Sequence, residues 1–276
     1  LSEILKKWIP TFPEGSGQAV GMTFSQFGFF RECSKNLINK RKTEMKRLNI
    51  MLLAVVLMTA SLLAQTQFDK DAAVFHKKAI MVCGIFKTQN PNAEQVSNLI
   101  SSASEELRNL AQKYKDNPPA EYKNDPLWQT YFEDWADNLT LVKTFAEQKN
   151  YKLVSKYCNT FCQIFVRMHK NNGTTDLTDL LFTLNMQLKL TTDISNAGNI
   201  KGVKENIGML KNMLKNTSAK VNSISNKNIE EMYSPLQKTA QSLIKAFEDS
   251  NSQKADSLYA SFMKDFPKLF LASTSL

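Results

Sequence analysis

Beyond residue 64 this chain holds two histidines, His76 and His169, and three cysteines, Cys83, Cys158 and Cys162. Imidazole ligates metals and carries a proton near neutral pH; thiols pair as disulfides or hold soft metals. Their spacing has order. Cys83 follows His76 by seven residues, and Cys162 precedes His169 by seven. Cys158 and Cys162, four apart, share one face of any helix that carries them. On two antiparallel helices, His76 and His169 would sit level, with Cys83 and Cys162 about 10 Å further along. That is too far for Cys and His to share one metal. It favours a Cys83–Cys162 disulfide. Cys158 is then a spare thiol, an alternative partner for Cys83, or a small buried apolar residue. A copper or zinc site built from all three cysteines is the sharper alternative.

Other chemistries lack their residues. The chain has no Gly-rich phosphate loop, no nucleophile elbow and no HExxH. Neither histidine has a glutamate three residues before it, so the Glu-x-x-His of di-iron bundles is missing. Glu105, Glu106, Asp134 and Asp137 fall at the spacing of a solvated helix surface. A non-enzymatic protein is expected.

The elements that must position these side chains are helices. From residue 70 onward apolar residues recur at three- and four-residue spacing. The pattern and its Asn, Pro and Gly breaks predict eight helices, at about 70–88, 93–115, 126–148, 151–170, 176–195, 200–220, 229–249 and 253–271. Trp128, Tyr131, Phe132 and Trp135 form a stripe read as core. Residues 141–157 and 243–259 share six identities in seventeen ungapped positions, 102 residues apart. Val96, Ile100 and Leu107 have counterparts 107 residues on, in Val203, Ile207 and Leu214. The expectation is an all-α fold of two tandem up-down-up-down four-helix bundles, over 68–172 and 175–272.

Charge and the N-terminal stretch bound the rest. The full chain carries +9, but residues 65–276 hold 26 basic and 22 acidic residues, dispersed over helix faces. No basic patch implies nucleic acid. Met45-Lys46-Arg47, the apolar run from Ile50 and the end at Ala64 read as a signal peptide over 45–64. Residues 1–44 read as an upstream extension outside the fold. A periplasmic or secreted protein follows, with no stable membrane span after signal removal.

The second repeat resembles the cytochrome b562 family, through TLNMQLK at 183–189 and SNAGNIKGVKENIGMLK at 195–211. The resemblance covers about 95 residues of that repeat; the first follows mainly through the internal repetition. In that family a Met early in the first helix and a His near the end of the fourth hold haem. Those places fall near Leu181 and Leu271 in the second repeat, which cannot ligate iron; Met186 lies too far along. In the first repeat His169 matches the family's His position. The resemblance then implies haem b between His169 and His76, with Met81 as fallback and Phe75, Ile80, Phe165 and Met168 lining the pocket. It also implies a redox or envelope protein partner. The alternatives are a cofactor-free helical binding or structural module, and two exposed histidines flanked by Lys77 and Lys170 at frayed helix ends.

Overall fold

The computed structural model describes residues 67–86 and 91–276. The signal peptide expected over 45–64 and the upstream extension expected over 1–44 lie outside the described residues. Eight α-helices occur among the described residues: α1 Gln67–Ile85, α2 Ala93–Tyr114, α3 Trp128–Glu147, α4 Tyr151–Asn172, α5 Leu177–Asn196, α6 Ile200–Ile224, α7 Lys227–Glu248 and α8 Ser252–Ser273. A single 3-10 turn, Ala120–Tyr122, interrupts the α2–α3 connection. The fold is all-α.

Short polar side chains set most of the helix starts. Asn92, Asn150, Asn199, Asn226 and Asn251 each accept a backbone N–H from the first turn of the helix they precede. Asp176 and Asp179 form a reciprocal capping box at the start of α5. Such caps satisfy donors the helix cannot, each worth about 1 kcal/mol. Gly173 ends α4 at φ 70°, a left-handed conformation that suits glycine.

Packing closes two sets of four. α1 lies against α2 and α4, and α3 against the same two; α5 lies against α6 and α8, and α7 against those two. Short links between antiparallel neighbours give this up-down order. The two cores differ in kind. The first is aromatic, with Phe68, Phe75, Trp135, Phe161 and Phe165 buried together, and the stripe from Trp128 to Trp135 is core as expected. The second is built on leucine, with Leu181, Leu184, Leu188, Leu210, Leu236 and Leu243.

Caps and burial also fix how the repeats correspond. Asn150 and Asn251 cap equivalent helices, and Lys149 and Ser250 before them share φ near +54°. That correspondence is 101 residues, one fewer than the run of sequence identities. Buried positions agree: Trp128 with Ile229, Phe132 with Tyr233, Trp135 with Leu236, Phe161 with Phe262 and Met168 with Leu269. One residue is a 100° rotation on a helix, so the buried face decides the register. For α2 and α6 the 107-residue spacing holds, from Asn92/Asn199 through Leu107/Leu214. Phe68, Phe75 and Ala79 match Leu177, Leu184 and Leu188, which pairs α1 with α5 at 109 residues.

Candidate functional site

The histidines and cysteines gather on α1 and α4, where the first bundle meets the second. Ile80, Cys162 and Val166 pack against the second core. His76 and His169 are both buried, at 6 % and 7 % exposure, not displayed at frayed ends. His76 stacks on Phe165 with ring centroids 4.0 Å apart, and the edge of Phe270 from α8 approaches it at 6.3 Å. Its Nε2 lies 3.3 Å from Cys162 Sγ. Burial pulls the His76 pKa down to about 3, so the ring is neutral at physiological pH. Burial, with the Asp179 charge behind it, pushes the Cys162 thiol up to about 12. The two form a neutral hydrogen-bonded pair, not an activated thiolate.

His169 behaves oppositely. Its Nδ1 lies 2.7 Å from Asp179 Oδ2, across the junction from α4 to α5. Burial opposes its charge, but the hydrogen bond and attraction of Asp179, with Asp176 and Asp69 beyond, raise it to about 9. The imidazolium is therefore a buried ion-pair partner that ties the first bundle to the cap of α5. Asp176 is pushed up to about 6 by burial and by its neighbour Asp179. His169, Asp176 and Asp179 each offer a ligand atom, all within 4.8 Å of one another, a donor set a divalent cation accepts. The same atoms already have partners. Asp176 Oδ1 accepts the Asp179 N–H, and Asp179 Oδ2 accepts both the Asp176 N–H and the His169 contact.

The cysteine pairing differs from the expectation. Cys83 is joined to Cys158, with Cα atoms 5.5 Å apart, and among the described residues Cys162 is the free, buried thiol. The level argument misplaced the bond by one helical turn, because His76 lies beside Phe165 and Cys162 instead of level with His169, and that register sets Cys83 against Cys158. Met81 is 44 % exposed and meets neither histidine. Equivalence at 101 residues also makes Phe270, Met263 and Tyr259 the counterparts of His169, Cys162 and Cys158, with Phe270 in place of the expected Leu271.

A haem does not fit between these imidazoles as they stand. His76 Nε2 meets a thiol, His169 Nδ1 meets a carboxylate, and Phe165 lies against both rings, 6.1 Å from His169. Phe165 is itself fully packed among Phe75 and Trp135. The acid partners at this seam were missed from sequence. Asp176-x-x-Asp179 ahead of an apolar run is the signal that marks them, as a cap.

A second feature lies at the other side of the first bundle, between α2 and α3. A groove of about 890 Å³ opens there, floored by Val96, Ile100 and Ala146 and edged by Arg108, Lys143 and Tyr151. The equivalent pair, α6 and α7, has a groove of about 360 Å³. The sequence differences account for this. Ala146 stands where the second bundle has buried Phe247, and Lys143 where it has buried Ile244. Ala103 likewise replaces Leu210 beneath. Ser104 replaces Lys211, whose Nζ bridges α6 to Glu248 on α7 at 2.6 Å. Among the described residues, Glu147, the counterpart of Glu248, makes no such bridge.

The chain matches no family model, and no curated protein or solved structure matches it. The class that fold and geometry define is thus an all-α protein of two four-helix sets, with a buried polar seam and an open groove on the first set. The likeness to the cytochrome b562 family rests on the quoted residues alone.

Proposed function

We propose that this chain is an exported, haem-free and non-catalytic helical binding module. The first bundle carries the binding groove, and the second is its narrower counterpart and support. One observation carries the reading: equivalent helix pairs enclose about 890 Å³ in one bundle and about 360 Å³ in the other. Ligand clefts run roughly 300–1,000 Å³ and combine an apolar floor with a few polar groups. The engagement of both histidines at the seam supports a haem-free protein over a bis-histidine cytochrome. The Cys83–Cys158 disulfide supports an oxidising compartment, periplasmic or extracellular. No described helix is long and apolar enough to cross a membrane. Partners on this reading are envelope components, not redox proteins.

The test has two arms. The neutral dye N-phenyl-1-naphthylamine is expected to brighten on one saturable site, and Ser104→Lys is expected to reduce that binding by restoring the bridge to Glu147. Haem titration is expected to give no protein-dependent Soret band. A Soret band lost in His169→Ala would return the protein to the cytochrome reading.

A further inference from the structure

We infer that the α2–α3 groove takes an apolar organic anion, a long-chain carboxylate, with its acid group held by Lys143. This deepens the binding-module reading and rests on it. Lys143 is an exposed cation on the groove wall, in the position that Ile244 fills as core in the second bundle. A lysine there does not seal the helix pair; it puts an ammonium beside the apolar floor. Lys143 and Lys149 make no ion pair among the described residues. In the second bundle, by contrast, Lys211 is bridged to Glu248 at 2.6 Å and Lys245 to Asp249 at 2.9 Å. Arg108 adds a third cation to the groove, held only loosely by Glu105 at 3.8 Å.

The acids do not cancel this. Glu105 and Glu147 are the two carboxylates on the wall, against Arg108, Lys143 and Lys149. The floor beneath is hydrocarbon, from Val96, Ile100 and Ala146, and Ser97, Ser101 and Ser104 supply hydroxyls along the α2 side. Such a site suits a ligand with an extended apolar body and one acid head. A cationic ligand would face the unpaired lysines. A polar anion such as phosphate would leave the floor wetted, without the apolar burial that drives binding.

The test uses the full, disulfide-bonded chain. N-phenyl-1-naphthylamine reports groove occupancy, and dodecanoate below its micellar concentration competes for it. Dodecanoate is expected to displace the dye from one site. Lys143→Ile, which installs the second bundle's residue, is expected to weaken dodecanoate by about ten-fold, the effect of one charge-assisted hydrogen bond. The neutral dye should weaken much less. Ser104→Lys combined with Ala146→Phe should remove both ligands, with circular dichroism and Tm confirming a folded chain. If the dye binds but dodecanoate competes equally well in Lys143→Ile, the carboxylate assignment is overturned while the groove reading stands. If neither ligand binds the wild-type chain, both fall.

Discussion

Position for position, the two bundles solve the same packing problem with different residues. Between α6 and α7, Leu210, Ile244 and Phe247 are buried and Lys211 reaches across to Glu248. Between α2 and α3 the same places hold Ala103, Lys143, Ala146 and Ser104. The helices are alike but not identical: α2 and α3 have 22 and 20 residues against 25 and 22 in α6 and α7, Asn92 and Asn199 cap alike, and Leu127 lacks the side-chain cap that Asn226 gives α7. Along the groove itself, side-chain volume and one cross-helix ion pair set the bundles apart. The bundle that lost filling there is also the one that gained covalent and aromatic reinforcement, through Cys83–Cys158 and the cluster around Trp135. The comparison teaches that an open groove and a stable bundle can share one scaffold when other contacts hold its helices.

The comparison can be broken most forcefully at Phe247. Phe247→Ala copies the first bundle's residue into the second, and should cost about 4 kcal/mol in urea unfolding, as large-to-small core changes do. It should also let the neutral dye into the α6–α7 groove; a loss below 1 kcal/mol would mean that groove is not closed by packing.

Replacing Cys83 and Cys158 with serine releases a 75-residue loop. Loop-entropy arguments put the loss at roughly 4 kcal/mol, and engineered cases often fall short of it. Hydrogen exchange should show faster amides in α1–α4, with α5–α8 nearly unchanged. Equal loss in both halves would mean that the seam makes them one cooperative unit.

A smaller effect separates the two histidines. The raised pKa of His169 means its stabilisation is fully present below about pH 6.5, and is lost as pH rises towards 9. The total is on the order of 3 kcal/mol. His169→Gln should flatten the stability profile over that window. His76 has the opposite sign: held neutral down to about pH 3, it favours unfolding as acid protonates the unfolded chain below pH 6.5. His76→Gln should therefore make the protein more tolerant of acid in urea unfolding at pH 4–6. Unchanged profiles in both variants would remove the seam from the comparison.

The smallest test sharpens the correspondence of the repeats. Asn150→Ala and Asn251→Ala should each cost about 1 kcal/mol, the worth of a helix N-cap. Matching losses confirm that these residues are equivalents.

Much of the fold was legible before the structure. The apolar spacing marks all eight helices, and the Asn-rich breaks mark their starts to within a few residues. The start expected at 126 is two residues early, because α3 begins only at Trp128 after a turn that Asp125 stabilises by accepting the Leu127 N–H. The repeat was visible, but its register was one residue off. The 102-residue identities include exposed lysines and half-buried aromatics, while caps and buried faces follow 101. The seam was less legible. His169 and Asp179 are only ten residues apart, yet their contact depends on how α5 turns back across α4. His76 meets Phe270 across nearly the whole described chain, which no local pattern encodes. The choice between Cys158 and Cys162 rests on the register of α1 against α4, which sets His76 beside Phe165 and not His169. The groove was not legible at all until equivalents were assigned, since Ala146 and Lys143 are unremarkable on their own.

The disulfide has a mechanical side. It joins α1 to α4, and the 75 residues between Cys83 and Cys158 include the whole α2–α3 hairpin. When the folded chain is pulled lengthwise, the load crosses from α1 to α4 through two sulfur atoms and bypasses that hairpin. Stretching the oxidised protein should fall short of the reduced one by roughly 250 Å of extended chain. The groove therefore rides on a segment that tension cannot unravel while the bond is intact.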